Sequence, residues 1–357
     1  MKDGLRELNA FDRIGDFPDP PEDLDLLMAT PDQLILYGIP PRPNPDREHE
    51  LYSVWSSFFS PRPTFVTEKI KTQSREFRVQ TRQSAPAAIN VSGATRYETS
   101  RNWCGTYIEP SDYKVFVQVS GVWNVPEPSP PLNAEPGDYT CSAWVGLDGQ
   151  RRYFDSSLPQ IGTWQKVTLL DDGTKEFEFF AWFQWWAADY PNNRPYPIQH
   201  FPISVGDRVG CIVRVWDRIA AYVAILNFST GLFFRKKIRA PVVRSRRPKI
   251  SGATAEWIME RPAILNHPHQ LYPLADYGQM EFSSCYAAEA NPAVPNWPQV
   301  VGTSQKLDSE RLIRMYDVLP NPNRTRFISM AQKNERDIGR RQLWRLPRLS
   351  TAAVRHR

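Results

Sequence analysis

Cysteine is scarce in this chain. Four residues in 357, Cys104, Cys141, Cys211 and Cys285, lie far apart with no CxxC pair, so neither a zinc site nor a disulfide framework is indicated, and such sparse use suits a reducing compartment. No run of about 18 apolar residues occurs, and the opening Met1-Lys-Asp-Gly-Leu-Arg-Glu-Leu8 has no apolar h-region; the expectation is a cytoplasmic protein without a signal peptide or membrane partner. Gly-x-Ser-x-Gly, P-loop and GxGxxG patterns are missing, which leaves serine-hydrolase and nucleotide-enzyme readings unsupported. Histidine is rare, and the close pair His267 and His269 has no third ligand in view, so no metal or other cofactor is expected. One-sided charge is lacking too: 44 basic against 39 acidic residues leave +5, well short of a dedicated nucleic-acid binder. The segment Arg235–Lys249 carries eight Lys or Arg and no acid, but few aromatics interleave with them, so it reads as a solvated loop and the basic C-terminus as a frayed tail.

Proline is plentiful, at 33 residues, and it punctuates strands and loops rather than long helices. Residues 1–95 read as an extension with two short helices. The first opens at Thr30 as N-cap with Pro31 in the first turn and closes at Gly38; the second spans about Asp46 to Phe59. Pro-rich joints such as Pro18–Glu22 and Pro40–Pro45 surround them. Residues 96–345 form the main domain, and 346–357 a basic tail. From Asn102 onward, short period-two runs are separated by turns such as Asp148-Gly149, Asp172-Gly173 and Ser229-Thr-Gly231. In Glu176–Trp186 one face carries Phe177, Phe179, Ala181, Phe183 and Trp185, which belong in a core. The other mixes Glu176, Glu178 and Gln184 with Phe180, Trp182 and Trp186, as a strand lining a binding cleft would. Asp112–Val125 alternates likewise, with Tyr113, Val115, Val117 and Val119 inward. The fold class is all-β: a two-sheet antiparallel β-sandwich.

Three ordered pieces of the chain narrow this further. Asn102-Trp-Cys-Gly105 is followed by Gly121-Val-Trp-Asn-Val-Pro126. Ala143-Trp-Val-Gly-Leu-Asp-Gly149 precedes Leu158-Pro-Gln-Ile-Gly162, Ala181-Trp-Phe-Gln-Trp185 and Gly206-Asp207. Asn227-Phe-Ser-Thr-Gly231 leads to Ala255-Glu-Trp-Ile-Met-Glu260, Tyr272-Pro-Leu-Ala275 and Glu281-Phe-Ser-Ser-Cys285. Together, over roughly residues 100–290, they resemble the glutamic peptidases (eqolisins), as a non-secreted, bacterial-type relative. The resemblance implies a concanavalin-like jelly roll with a cleft on one sheet, and an acid-favouring endopeptidase acting on peptide or unfolded protein as a monomer. Its catalytic pair maps onto Gln160 and Glu260, and substrate contacts onto Trp103, Trp144, Asp148, Trp182, Gln184, Trp186 and Glu256. Plainer readings stand beside these: Trp144 as core, Asp148 as a turn residue, Glu260 as a partner of Arg261, and Gln165 in place of Gln160 after a small register shift.

The chemistry of the pair is sound on its own terms. A carboxylate can take a proton from water attacking an amide and return it to the leaving nitrogen, worth roughly 10²–10⁴-fold. A side-chain amide supplies a fixed donor for the oxyanion, worth about 3 kcal/mol in other enzymes. On strand 255–260, Glu256, Ile258 and Glu260 share a face, and the two carboxylates stand about 13 Å apart along it. That is too wide for a glycosidase pair, which needs about 5–9.5 Å. Two departures are visible: Gln184 stands where the family carries Glu, and the family disulfide has no counterpart. The rival expectation is a non-catalytic peptide- or carbohydrate-binding sandwich, with Trp144, Trp182 and Trp186 as stacking platforms.

Overall fold

A computed structural model describes residues 16–67, 97–150, 157–264 and 267–293, and the strand segments 303–305, 311–315, 318–323 and 327–332. Two short helices come first. Helix α1 (Pro31–Leu36) starts as expected: the Thr30 hydroxyl accepts from the Gln33 amide, while the Gln33 side chain accepts from the Thr30 amide at 2.8 Å. This reciprocal capping satisfies two donors that a helix start leaves orphaned. Gly38, at φ +62, ends the segment. Helix α2 covers His49–Ser57.

The strands follow in chain order: β1 (Thr64–Val66), β2 (Tyr97–Ser100), β3 (Trp103–Ile108), β4 (Val115–Asn124), β5 (Gly137–Leu147), β6 (Ser157–Leu169), β7 (Lys175–Ala187), β8 (Tyr196–Pro197), β9 (Arg208–Asp217) and β10 (Ala220–Asn227). They continue as β11 (Leu232–Arg239), β12 (Ala255–Glu260), β13 (Ala263–Ile264), β14 (His267–Leu271), β15 (Gln279–Ala290), β16 (Thr303–Gln305), β17 (Arg311–Met315), β18 (Val318–Asn323) and β19 (Phe327–Gln332). One sheet is ordered β1-β11-β10-β9-β4-β15-β19-β18, with β16 beside β15; the other is β2-β17-β3-β12-β5-β6-β7-β8. Pairing is antiparallel except at the edges, where β1–β11 and β2–β17 run parallel.

The core lies between the sheets and is built by the inward half of each alternation. Val117, Val119, Val213, Val223, Ile225 and Phe234 from the first sheet meet Ala143, Val145, Ile161, Phe183, Trp257 and Met259 from the second. Two indoles tie the layers together. Trp257 Nε1 donates to the Ser120 carbonyl at 2.8 Å and Trp123 Nε1 donates to Thr163 Oγ1 at 3.1 Å, so these buried N–H groups are satisfied across the sandwich. All four cysteines are buried and unpaired.

Three expectations need correction. Phe177 is 48% exposed and Phe179 half-buried, because at that level β7 is the last strand of its sheet, β8 pairing only with Trp182 and Phe183; Phe179 packs against the margin of the core that Ala181, Phe183 and Trp185 enter. Tyr113 is 94% exposed at φ +63 in the turn before β4, which starts at Val115. Arg235 and Lys236 are no solvated loop: they lie buried in β11. The Arg235 guanidinium donates to the carbonyls of Tyr37 and Pro18 and pairs with Asp19 at 3.2 Å. The basic C-terminal tail falls outside the described residues.

The N-terminal extension, over its described part, covers the outer face of the first sheet. Leu26, Leu34, Ile39, Trp55, Phe58 and Phe59 form one apolar cluster with Ile212, Tyr222, Leu226 and Phe233, and β1 adds a strand to that sheet's edge.

Candidate active site

The outer face of the second sheet carries the site residues expected from sequence, and the ladder register fixes their mutual placement. Directly opposed residues share a face, so three rows can be read across the sheet. Trp103, Glu260, Ser142, Trp164 and Phe180 form the first. Ile313, Gly105, Ile258, Trp144, Gly162 and Trp182 form the middle one. Tyr107, Glu256, Gly146, Gln160 and Gln184 form the third. Trp103, Tyr107, Trp144, Leu158, Trp164, Trp182 and Ile258 pack as one buried cluster on this face, with Trp186 against it. An open aromatic cleft was expected; instead Glu256, Glu260, Gln160, Gln184, Trp103, Trp144 and Trp182 all have zero exposure.

Glu260 is held on both oxygens. Trp144 Nε1 donates to Oε2 at 2.8 Å and Asn102 Nδ2 donates to Oε1 at 3.2 Å. Trp144 can approach because its neighbour in the row is Gly162, where a side chain would meet the Ala143 carbonyl and the Trp144 Cβ at 2.2 and 2.5 Å. The Trp103 ring stands edge-on to Trp144, centroids 5.0 Å apart. Burial pushes the Glu260 carboxyl up to about 8, with the Trp144, Trp103 and Asn102 donors pulling the other way. The alternative partner Arg261 points elsewhere, donating to the Tyr272 carbonyl.

Gln160 pairs directly with Gln184 in the β6–β7 ladder, and its Nε2 donates to Gln184 Oε1 at 2.9 Å. Its own Oε1 is buried with no hydrogen-bond partner among the described residues. Gln165, the alternative, has the opposite strand parity, and Cys141 Sγ donates to it, which leaves it on the core side. Gln160 and Glu260 do not touch: they stand two strands across and four residues along, roughly 16 Å between Cα atoms on a flat ladder, on either side of the Trp144 row.

Glu256 occupies the row of Gln160, with side-chain-free Gly146 between them. Thr254 Oγ1 donates to its Oε1 at 2.9 Å. Oε2 lies where a Gly149 side chain would be, 2.3 Å from that Cβ position, and the Gly149 and Gln150 amides favour the anion. Burial pushes this carboxyl too up to about 8, and neighbouring Asp148 adds to the rise. Asp148 is itself fully engaged. At φ +69 it accepts from the amides of Ser251, Gly252 and Ala253 and from the Ser251 hydroxyl, at 2.5 to 3.2 Å. It therefore clamps the turn that delivers β12.

Asn102, Thr254 and the 251–253 amides were not foreseen as site groups. Asn102 had a signal: it is the polar residue opening Asn102-Trp-Cys-Gly105, just ahead of the strand that pairs with Glu260. The pair His267 and His269 falls in β14, with side chains outside the described residues. Among the described residues no cluster of three His, Cys, Asp or Glu is placed to hold a metal.

The model of the Peptidase A4 family matches residues 101–302. The chain belongs to this family. It is thus a hydrolase of the glutamic-type endopeptidase class, and the matched span contains every residue of the three rows except Ile313. Aspergillopepsin-2 from Aspergillus niger is 24% identical over 252 residues, 64% of this chain and 82% of that protein. Among solved structures, scytalido-glutamic peptidase with a transition state analog inhibitor is 21% identical, covering 65% of this chain and 98% of the other, with a TM-score of 0.48. SCP-B, a member of the eqolisin family in complex with the tripeptide Ala-Ile-His, has the same identity and coverage and a TM-score of 0.45.

Proposed function

We propose that this A4-family chain cleaves peptide bonds with Glu260 as general base and then general acid, and with Gln160 as the polar group that holds the reacting carbonyl. The observation that carries the reading is a set of polar atoms buried on one sheet face. The Glu260 carboxyl is oriented by the Trp144 and Asn102 donors, while Gln160 Oε1 has no partner among the described residues. A buried polar atom without a partner is costly in a site that stays dry, at about 1–3 kcal/mol. Water and a peptide unit would satisfy it.

The offset between Glu260 and Gln160 suits this use. The two side chains rise from one face about 16 Å apart at their Cα atoms, so a water and a peptide carbonyl would lie between them rather than a direct contact. Water attacks while Glu260 takes its proton. The second Gln160 Nε2 hydrogen donates to the oxyanion, and Glu260 then protonates the leaving nitrogen. The binding-module reading needs open indole faces; Trp144 and Trp182 offer none, their N–H groups being spent on Glu260 and Ser142, and of its three platforms only Trp186 is partly exposed.

An acid preference belongs to the hydrated site. Entry of water removes the burial that dominates the Glu260 shift, and the remaining donors favour the anion at acid pH; in the dry site the carboxyl stays protonated up to about 8. Digestion of a denatured protein between pH 3 and pH 9 tests both parts. Glu260→Gln should lose roughly 10²–10⁴-fold of activity and Gln160→Ala roughly 10²–10³-fold. An acid limb near or below the ordinary Glu range means a wetted carboxylate, one near 8 a dry one. A folded Glu260→Gln protein that cleaves like wild type would remove Glu260 from the role.

A further inference from the structure

We propose that Gln184 is the positioning residue that decides which end of the Gln160 amide faces the reacting carbonyl; the inference rests on the role given to Gln160 above. A side-chain amide has two unlike ends, a carbonyl that only accepts and an NH₂ that only donates, and its hydrogen-bond partner selects between them. Gln160 and Gln184 are directly opposed in the β6–β7 ladder, both with zero exposure, so their side chains lie side by side on the site face. Gln184 offers its Oε1, which accepts from Gln160 Nε2 at 2.9 Å. With the Gln184 amide held in place between Trp182 and Trp186, turning the Gln160 amide over would set two carbonyl oxygens against each other in a buried position, where such a contact finds no solvent to relieve it.

On the other flank of Gln160 the row continues with Gly146, so no side chain there competes for the amide. Gln184 is walled along its own strand by Trp182 and Trp186, and Trp182 is tied to Ser142 Oγ at 3.1 Å. One contact thus leaves Gln160 with its Oε1 and one N–H for substrate and water. Because Gln184 does not ionise, it keeps this orientation at every pH. The ionisable groups of the described residues that share this face near the amide pair are Glu256 and Tyr107 in the same row, the Tyr107 hydroxyl donating to Glu98, and Glu260 across Trp144. Tyr196 on β8 stacks instead on Phe183, toward the core.

The test is the pH dependence of kcat and KM on a fluorogenic peptide for wild type, Gln184→Met, Gln184→Glu and Gln160→Ala, each with its thermal midpoint. Gln184→Met keeps the bulk and removes the acceptor; kcat should fall at least tenfold while KM moves less than threefold. Gln184→Glu restores an acceptor, so kcat at its best pH should return to within about threefold of wild type. Its profile should gain an ionisation that wild type lacks. Wild-type kcat in Gln184→Met, or a loss that Gln184→Glu leaves unrepaired at every pH, overturns the positioning role and leaves Gln160 in place. Full activity in Gln160→Ala overturns the role of Gln160 itself, and an inactive wild type removes both.

Discussion

The sandwich has two outer faces, and both are covered in opposite ways. On the first sheet, the N-terminal extension lays Leu34, Trp55, Phe58 and Phe59 over Ile212, Leu226 and Phe233, and its polar groups are matched as it does so. Trp55 Nε1 donates to the Pro40 carbonyl, the Arg62 guanidinium to the carbonyls of Pro20, Pro21 and Leu24, and Arg235 to those of Tyr37 and Pro18. The Tyr222 hydroxyl is the exception in that cluster. On the second sheet the buried face holds two carboxyls, two amides and a set of indoles, and Gln160 keeps its Oε1 without a partner among the described residues. A face closed with its polar groups matched is a structural joint. A face closed around an unmatched amide is arranged for something that enters.

The largest effect should come from opening the structural joint. If residues 1–67 were an inhibitory segment, trimming them would raise activity. Their described part instead lies on the sheet away from Glu260 and supplies half of a buried apolar cluster, so trimming should leave an aggregating chain that binds a hydrophobic dye. The milder variant Trp55→Ala should cost about 3–5 kcal/mol, seen as a lowered thermal midpoint, with kcat per folded molecule unchanged. Soluble, fully folded and more active trimmed protein would reverse the assignment of the two faces.

Much of the second face was legible in advance because strand periodicity assigns faces without knowledge of the fold. The alternation of Ala255–Glu260 put Glu256 and Glu260 together opposite Trp257, and the ladder agrees. The capping pattern at Thr30 was readable for the same local reason. What period cannot reveal is where a strand becomes the edge of its sheet, which is why Phe177 was sent to the core. Composition misled at Arg235, since a run of bases reads as solvent-exposed until a carbonyl-rich segment from 200 residues away closes on it. The rows of the site lay beyond single-strand reasoning as well. That Gln160 aligns with Glu256, and Glu260 with Trp103 and Ser142, follows from the register of four strands distant in sequence.

The second prediction sharpens the contrast through pH. Glu256 and Glu260 both titrate, when folded, at about 8 because of burial, against 4.5 ordinarily. The folded state thus holds protons that the unfolded chain releases between those values, so this contribution to stability is full below about 4.5 and is lost as pH rises toward 8. Glu289, on the first sheet, behaves oppositely. Burial pushes its carboxyl up, but hydrogen bonds from Lys114 and Ser111 outweigh that and hold it below the usual value, so its contribution is lost as pH falls. Burial raises Asp148 in the same direction, and the lowered carboxyls Glu289 and Asp172 act below pH 5, so the protein should melt several degrees lower at pH 8 than at pH 5, with Glu256→Gln flattening the difference. A midpoint that rises from pH 5 to pH 8 would mean the site is wet in the free protein.

The smallest effect should come from the outer half of β7, beyond the reach of β8. Phe177 and Phe179 stack there with centroids 6.3 Å apart, yet Phe177 is nearly half exposed and gives up little buried area when removed. Phe177→Ser should therefore shift stability by no more than about 0.5 kcal/mol, while Phe183→Ser, six residues along the same strand and inside the core, should unfold the domain. Equal losses at the two positions would mean that the hairpin is packed against something in solution, and that the strand's outer half, like its inner half, serves the sandwich rather than standing clear of it.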